Sequence, residues 1–248
     1  MKKTFFLFFY SAITLITIGC SNDDMDTQMM EDEIMIDELS TNQLLAIDYF
    51  TEIALGFEFG SETQVTRKWN SDVVIFVAGT PTELLLDELE TVVNELNGLI
   101  VNSGIQLRFT TIQSEANFDL FIGTGDAYAQ FFPTAAPFID ENLGLFFINF
   151  DGQNFFTSAS MYVDTERPTE LKQRHLLREE LTQALGLARD SDRFLDSIFQ
   201  ISFELGCTLT YSQFDEVLIQ LLYDPRVGTG LDENTVRPIL EEIINDFI

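Results

Sequence analysis

Leu176-Leu177-Arg178-Glu179-Glu180-Leu181-Thr182-Gln183-Ala184-Leu185-Gly186-Leu187-Ala188-Arg189 is the stretch from which the rest of the chain is best read. Leu177, Leu181, Ala184 and Leu185 recur at helical spacing, while Glu179, Glu180 and Gln183 fall on another face, so the spacing predicts an amphipathic helix. Gly186 closes it, because glycine takes the left-handed turn that ends many helices at little steric cost. Thr169 is a suitable cap for its start, which places the helix over 170–185. Two readings of the glutamates stand side by side. They lie on a solvated face with Arg178 as a surface neighbour, or they face a cleft. His175, one turn before Glu179, is the only histidine, so a site built from several imidazoles is excluded.

Upstream of this helix, apolar stripes and capping signals divide the chain into alternating elements. Ser40-Thr41-Asn42-Gln43 has the form of a capping box, and Leu44, Ile47, Phe50, Ile53 and Ala54 continue it as a helix to about Leu55. Val65 to Ala78 reads as a strand pair or one bent strand, with Val73-Val74-Ile75-Phe76-Val77 too uniformly apolar for an exposed face. Trp69 is expected to anchor its start. Thr80-Pro81-Thr82-Glu83 then opens a long helix to about Val101. Ile105–Ile112 and Phe118–Ile122 read as strands, 123–137 as irregular and aromatic. Leu145–Phe150 and Ser160–Asp164 follow as two more strands joined through a turn at Asp151-Gly152. Many of the 24 phenylalanines fall in this middle stretch; at strand spacing they are read as core, with a ligand groove as the alternative. Downstream, Val236, Ile239, Leu240, Ile243 and Ile244 make a closing helix.

The beginning of the chain has a different character. Lys2 and Lys3 precede an apolar run over 5–18, too short to span a bilayer comfortably and placed as in a secretory signal. Gly19-Cys20 resembles the end of a bacterial lipobox, which implies a signal peptide over 1–19 and lipidation of Cys20. Ser21-Asn22-Asp23-Asp24 resembles the acidic export signal of Bacteroidetes lipoproteins, which implies anchorage in the cell envelope, at the outer membrane and on its outer face. Residues 20–39, dense in Asp, Glu and Met, read as a tether, and 40–248 as one domain. With Cys20 acylated, Cys207 has no disulfide partner and is expected to be a buried small hydrophobe.

Net charge is −28, and loss of Lys2 and Lys3 leaves 11 basic against 41 acidic residues. Phosphate backbones and anionic headgroups are therefore poor partners, and cations or basic peptides better ones. No Gly-x-Ser-x-Gly elbow, phosphate-binding glycine loop, Cys/His pair or EF-hand loop is present.

The frame of the opening stretch resembles the zinc helix of the metzincin proteases, His-Glu-x-x-His-x-x-Gly-x-x-His. Glu180 and Gly186 match it. Glu179, Gln183 and Arg189 stand at the three ligand positions. Further on, Ser197-Ile198-Phe199 resembles the methionine turn with Phe199 for methionine, and Leu209-Thr210 with Ile219-Gln220-Leu221-Leu222-Tyr223 resembles the last helix. The same combination is similar to a bacterial family of secreted domains of unknown function. The resemblance implies an α+β, zincin-like fold: a mixed, mostly parallel sheet with an antiparallel edge, a backing helix and a former active-site helix. An amide is a poor zinc donor and a guanidinium is none, so no metal or cofactor is expected. Arg189 is instead expected to pair with Glu179 or Glu180. The function implied is a non-catalytic module binding a peptide or protein in the former cleft. The competing readings are a hydrolase using Glu180 as general base with a metal held by Glu179, Gln183 or a ligand from elsewhere, and a structural envelope component; separately, His175 and Glu179 could share a metal with an outside carboxylate.

Overall fold

The computed structural model describes residues 38–57, 62–202 and 207–248. Cys20, the 1–19 signal segment and the tether up to residue 37 lie outside them. Among the described residues no helix is long and apolar enough to cross a membrane.

The elements follow from the apolar periodicity with shifts at their ends. Helix α1 spans Thr41–Ala54, and Ser40 and Gln43 complete its capping box as the sequence predicts. Of the segment Val65–Ala78 only Val73–Gly79 forms a strand, β1; Lys68 makes an isolated bridge with Phe155. Helix α2 covers Glu83–Leu99, and its cap is Thr82 rather than Thr80, with the Thr82 hydroxyl accepting from Leu85 N–H. The strands β2 (Leu107–Thr110), β3 (Phe118–Gly123), β4 (Gly144–Phe150) and β5 (Phe156–Asp164) follow. The aromatic stretch read as irregular contains a short helix, α3 (Gly125–Phe131), and a 3₁₀ segment, Pro133–Phe138. Helices α4 (Glu170–Gln183), α5 (Gln213–Tyr223) and α6 (Glu233–Ile243) complete the order.

The result is an α+β arrangement around one five-stranded mixed sheet in the order β2-β1-β3-β5-β4. The pairings β1–β2, β1–β3 and β3–β5 are parallel, and the edge strand β4 alone runs antiparallel, against β5. Alternation along the strands separates two faces. Ile75, Leu120, Ile122, Met161 and Val163 enter the main core with the apolar faces of α1, α2, α4, α5 and α6. Phe121 and Tyr162 face the other way, where Tyr128 of α3, Ala135 and Ile139 make a second, smaller cluster with Phe132 and Phe147 at its edge. Tyr128 stacks on Tyr162 with ring centroids 4.7 Å apart. The middle-stretch phenylalanines are thus shared between the two cores. At the end of the chain the Gln43 amide donates to the Ile248 carbonyl at 2.9 Å and to Asn245 Oδ1 at 2.7 Å, tying Ile248 to the start of α1.

Candidate functional site

Helix α4 is buried all round over its second half, and this overturns its reading as amphipathic. Every residue from His175 to Gln183 is buried, the polar ones included. Buried charge is costly unless paired, and Arg174, His175, Arg178, Thr182 and Gln183 are each met from outside the helix. Arg178, expected at the surface on the solvated-face reading, is 1% exposed; it donates to Glu88 Oε1 at 3.1 Å and to Glu95, with its guanidinium 4.7 Å from the Tyr211 ring centre. Arg174 closes the same α2–α4 clasp with two bonds to Glu88 Oε2, 2.9 and 2.7 Å. His175 is fully buried, its Nδ1 2.8 Å from the Thr208 carbonyl and its Nε2 3.5 Å from Glu179 Oε2. Burial pulls its pKa below the usual histidine range. Thr182 bonds back to the Arg178 carbonyl and to the Tyr211 hydroxyl.

The end of α4 is fastened with equal care. The orphan carbonyls of its last turn would otherwise be buried without donors. The Trp69 indole N–H reaches the Ala184 carbonyl at 3.0 Å, and the Tyr223 hydroxyl reaches that of Leu185 at 2.9 Å. Gly186 has φ +120°, and a Cβ there would sit 2.1 Å from the Arg67 carbonyl oxygen, so no other residue fits this turn. Trp69 therefore anchors its segment, as its position in the sequence implies, but through the end of α4.

Around the turn that follows, Ser197 is fully buried and central. Its hydroxyl donates to Asp215 Oδ1 at 2.6 Å, lies 2.7 Å from the Tyr49 hydroxyl, and accepts from Phe199 N–H at 3.0 Å. Asp215 Oδ2 accepts from Ile198 N–H at 3.0 Å and Ser212 N–H at 2.8 Å. Ser212 caps α5, two residues beyond the Leu209-Thr210 start that the sequence predicts, and forms a capping box with Asp215. Burial pushes the Asp215 carboxyl up while these hydrogen bonds oppose the shift. Ser197, Ile198 and Phe199 are therefore the tie between the post-α4 turn and α5. Asp215 was not singled out in the sequence, although Ser212-Gln213-Phe214-Asp215 carries a capping-box signal.

The three ligand positions of the frame and Glu180 meet different neighbours. Glu179 faces His175. Gln183 spends its amide N–H on Asp190 Oδ1 at 2.6 Å, and burial raises the Asp190 pKa. Glu180 is 8% exposed and packs against the first residue of β4: a Cβ on Gly144 would lie 2.6 Å from Glu180 Oε1. Arg189 forms an ion pair with neither Glu179 nor Glu180 among the described residues, contrary to the pairing expected from sequence. It lines a surface cavity of ≈ 560 Å³ with Arg193, Glu52, Asp48 and Asp232, on the α1 side of the molecule. Among the described residues no group of three or more His, Cys, Asp or Glu side chains is placed to hold a metal ion. A donor set of carboxylate, amide and guanidinium, with the amide committed to Asp190, does not fit zinc. Cys207 is half-buried rather than fully buried, and burial raises its thiol pKa.

Residues 44–242 match a family described as protein of unknown function DUF2927, and the chain belongs to that family. Among curated proteins none matches the chain.

Proposed function

We propose, with membership of that family as the premise, that the chain is a non-catalytic peptide- or protein-binding module with a metzincin-like domain, held in the cell envelope through a lipid on Cys20. The observation that carries the non-catalytic reading is the dispersal of the ligand frame. Glu179 turns to His175, Gln183 to Asp190 and Arg189 to a separate cavity. On this reading the Gln183–Asp190 hydrogen bond ties the end of α4 to its following loop in place of a metal ligand. The metzincin-like reading is supported by the antiparallel edge strand on an otherwise parallel sheet, by the Gly186 turn, and by the Ser197 turn joined to α5.

The ligand is proposed to lie along β4. This strand ends the sheet, so one side of its backbone has no strand neighbour among the described residues, and an extended peptide can add there by main-chain hydrogen bonds. Glu180 beside Gly144 marks the corner where that peptide would cross α4.

The experiment is metal analysis and peptide hydrolysis on the purified chain and on Glu180→Gln, with capture of partners from envelope extracts by the wild type and Gly144→Ala. The expected result is no stoichiometric zinc, no hydrolysis that depends on Glu180, and a captured partner lost in Gly144→Ala, which disturbs only that corner. Bound zinc with activity abolished by Glu180→Gln would establish the hydrolase instead. A partner captured equally by both forms would place binding elsewhere.

A further inference from the structure

The sheet has a second face that the proposed binding edge does not use. Strand register places side chains on it in rows. One row, Phe121 beside Tyr162 beside Leu145, is apolar and lies in the small cluster with α3. The next row toward the start of β3 changes character: Asp119 pairs with Ser160, and Ser160 with Phe147. Beyond it Asn149 pairs with Ser158. These side chains line a cavity of ≈ 160 Å³, closed on one side by Phe132 and Phe147, whose ring centroids are 5.4 Å apart. That is too small for an extended ligand and large enough for one side-chain-sized group.

The polar groups of this cavity are unevenly satisfied. Asp119 Oδ1 accepts one bond, from Gln113 at 3.3 Å, and no cationic side chain among the described residues pairs with this carboxylate. One N–H of the Asn149 amide goes to Ser158 Oγ at 3.0 Å, and its carbonyl oxygen can accept. Ser160 Oγ is 3.0 Å from the Tyr128 hydroxyl. Hydroxyl and amide donors remain beside these acceptors, but the one charged group is a partly buried carboxylate without a counter-charge, next to two aromatic rings. Burial holds that carboxyl above the usual aspartate range, the direction a nearby cation would reverse.

We propose that this cavity binds an alkylammonium group, the side chain of a lysine presented by a partner protein, with the ammonium on Asp119 and Asn149 and its methylenes against Phe132 and Phe147. Charge complementarity favours this occupant: the chain carries −28, the aromatic rings attract cations, and an ammonium supplies the donors and the counter-charge that the Asp119 carboxylate lacks. The site is on the other side of the sheet from the Glu180 corner, so it stands or falls apart from the binding edge proposed above.

The test is titration of the full chain with N-acetyl-lysine amide, followed by nuclear magnetic resonance, beside N-acetyl-norleucine amide and glucose as uncharged probes. Expected are saturable shifts at Asp119, Ser160 and Asn149 with the lysine compound alone, and affinity weakened roughly tenfold or more in Asp119→Asn, since a charge-assisted hydrogen bond is lost. Asn149→Leu, which keeps the carboxylate, is expected to weaken binding by a smaller factor, and Glu180→Gln to leave it unchanged. The proposal is overturned if norleucine amide binds as well as lysine amide, if glucose binds in its place, if Asp119→Asn retains full affinity with an unchanged melting curve, or if no probe gives saturable shifts.

Discussion

Single residues carry an unusual share of the architecture around α4. Asp215 accepts from Ser197, Ile198 and Ser212 while fully buried, so Asp215→Ala strands three donors at once. The expected loss is about 3–5 kcal/mol in urea unfolding, at an orphaned-donor cost of about 1–3 kcal/mol each with partial relaxation; a loss below about 1 kcal/mol would show that the network is incidental. Gly186→Ala puts a Cβ against the Arg67 carbonyl at positive φ, and soluble expression is expected to fall sharply. His175 gives a pH handle. Its folded pKa lies below the ordinary 6.5, so its stabilising contribution is present above pH 6.5 and is lost as pH falls, because the unfolded chain takes up a proton the folded one resists. As the only histidine, its ring resonances report this without ambiguity, and they are expected to titrate below 6.5 together with unfolding. Glycine and turn residues were legible in the sequence because their backbone demands are local. The partners of Arg178, Gln183 and Ser197 were not, since Glu88, Asp190 and Asp215 approach from other elements or across a loop.

Elements were legible where apolar period and caps agreed, as in α1 and the edge hairpin β4–β5. The misreadings have specific causes. Helix α3 is one short helix in an aromatic run, where strand-like and helical spacing cannot be told apart. Helix α4 looked amphipathic because charge was counted as exposure, whereas its arginines are neutralised by α2. That clasp can be tested as a unit. Arg178→Met is expected to cost about 3 kcal/mol, because Glu88 and Glu95 lose a buried cation. Arg178→Met combined with Glu88→Leu and Glu95→Leu is expected to recover much of it, with chemical denaturation as the measure, since well-packed apolar groups often replace a buried ion pair without loss. Failure of the combined variant to recover would mean that the clasp specifies the α2–α4 register rather than merely neutralising charge.

For the whole molecule, the two-faced packing takes the phenols of the five described tyrosines away from water. Burial raises the pKa of Tyr49, Tyr162, Tyr211 and Tyr223, and pushes that of Tyr128 up to about 12. A phenol whose folded pKa exceeds 10.0 lends stability that is complete below pH 10.0 and is lost as pH rises toward the folded value. Tyrosine ionisation followed by absorbance is therefore expected to coincide with loss of structure above that pH, rather than to precede it; an early, reversible phase from these five would contradict their burial. The mixed sheet was anticipated from element order and the resemblance. The second face, with its small cluster and polar rows, could not be, because register between strands is a tertiary fact.

The hydrogen bond from Gln43 to the Ile248 carbonyl brings the last described residue beside the start of α1, so residues 39 and 248 are close enough to be joined. A short Gly/Ser bridge from Ile248 to Leu39 would close the polypeptide into a ring, and cutting it at the exposed Asp151-Gly152 turn would give a circular permutant with new ends on the far side of the β4–β5 hairpin. Such a rearranged chain keeps the five strands and their order, and gives up only the turn bonds around Asp151.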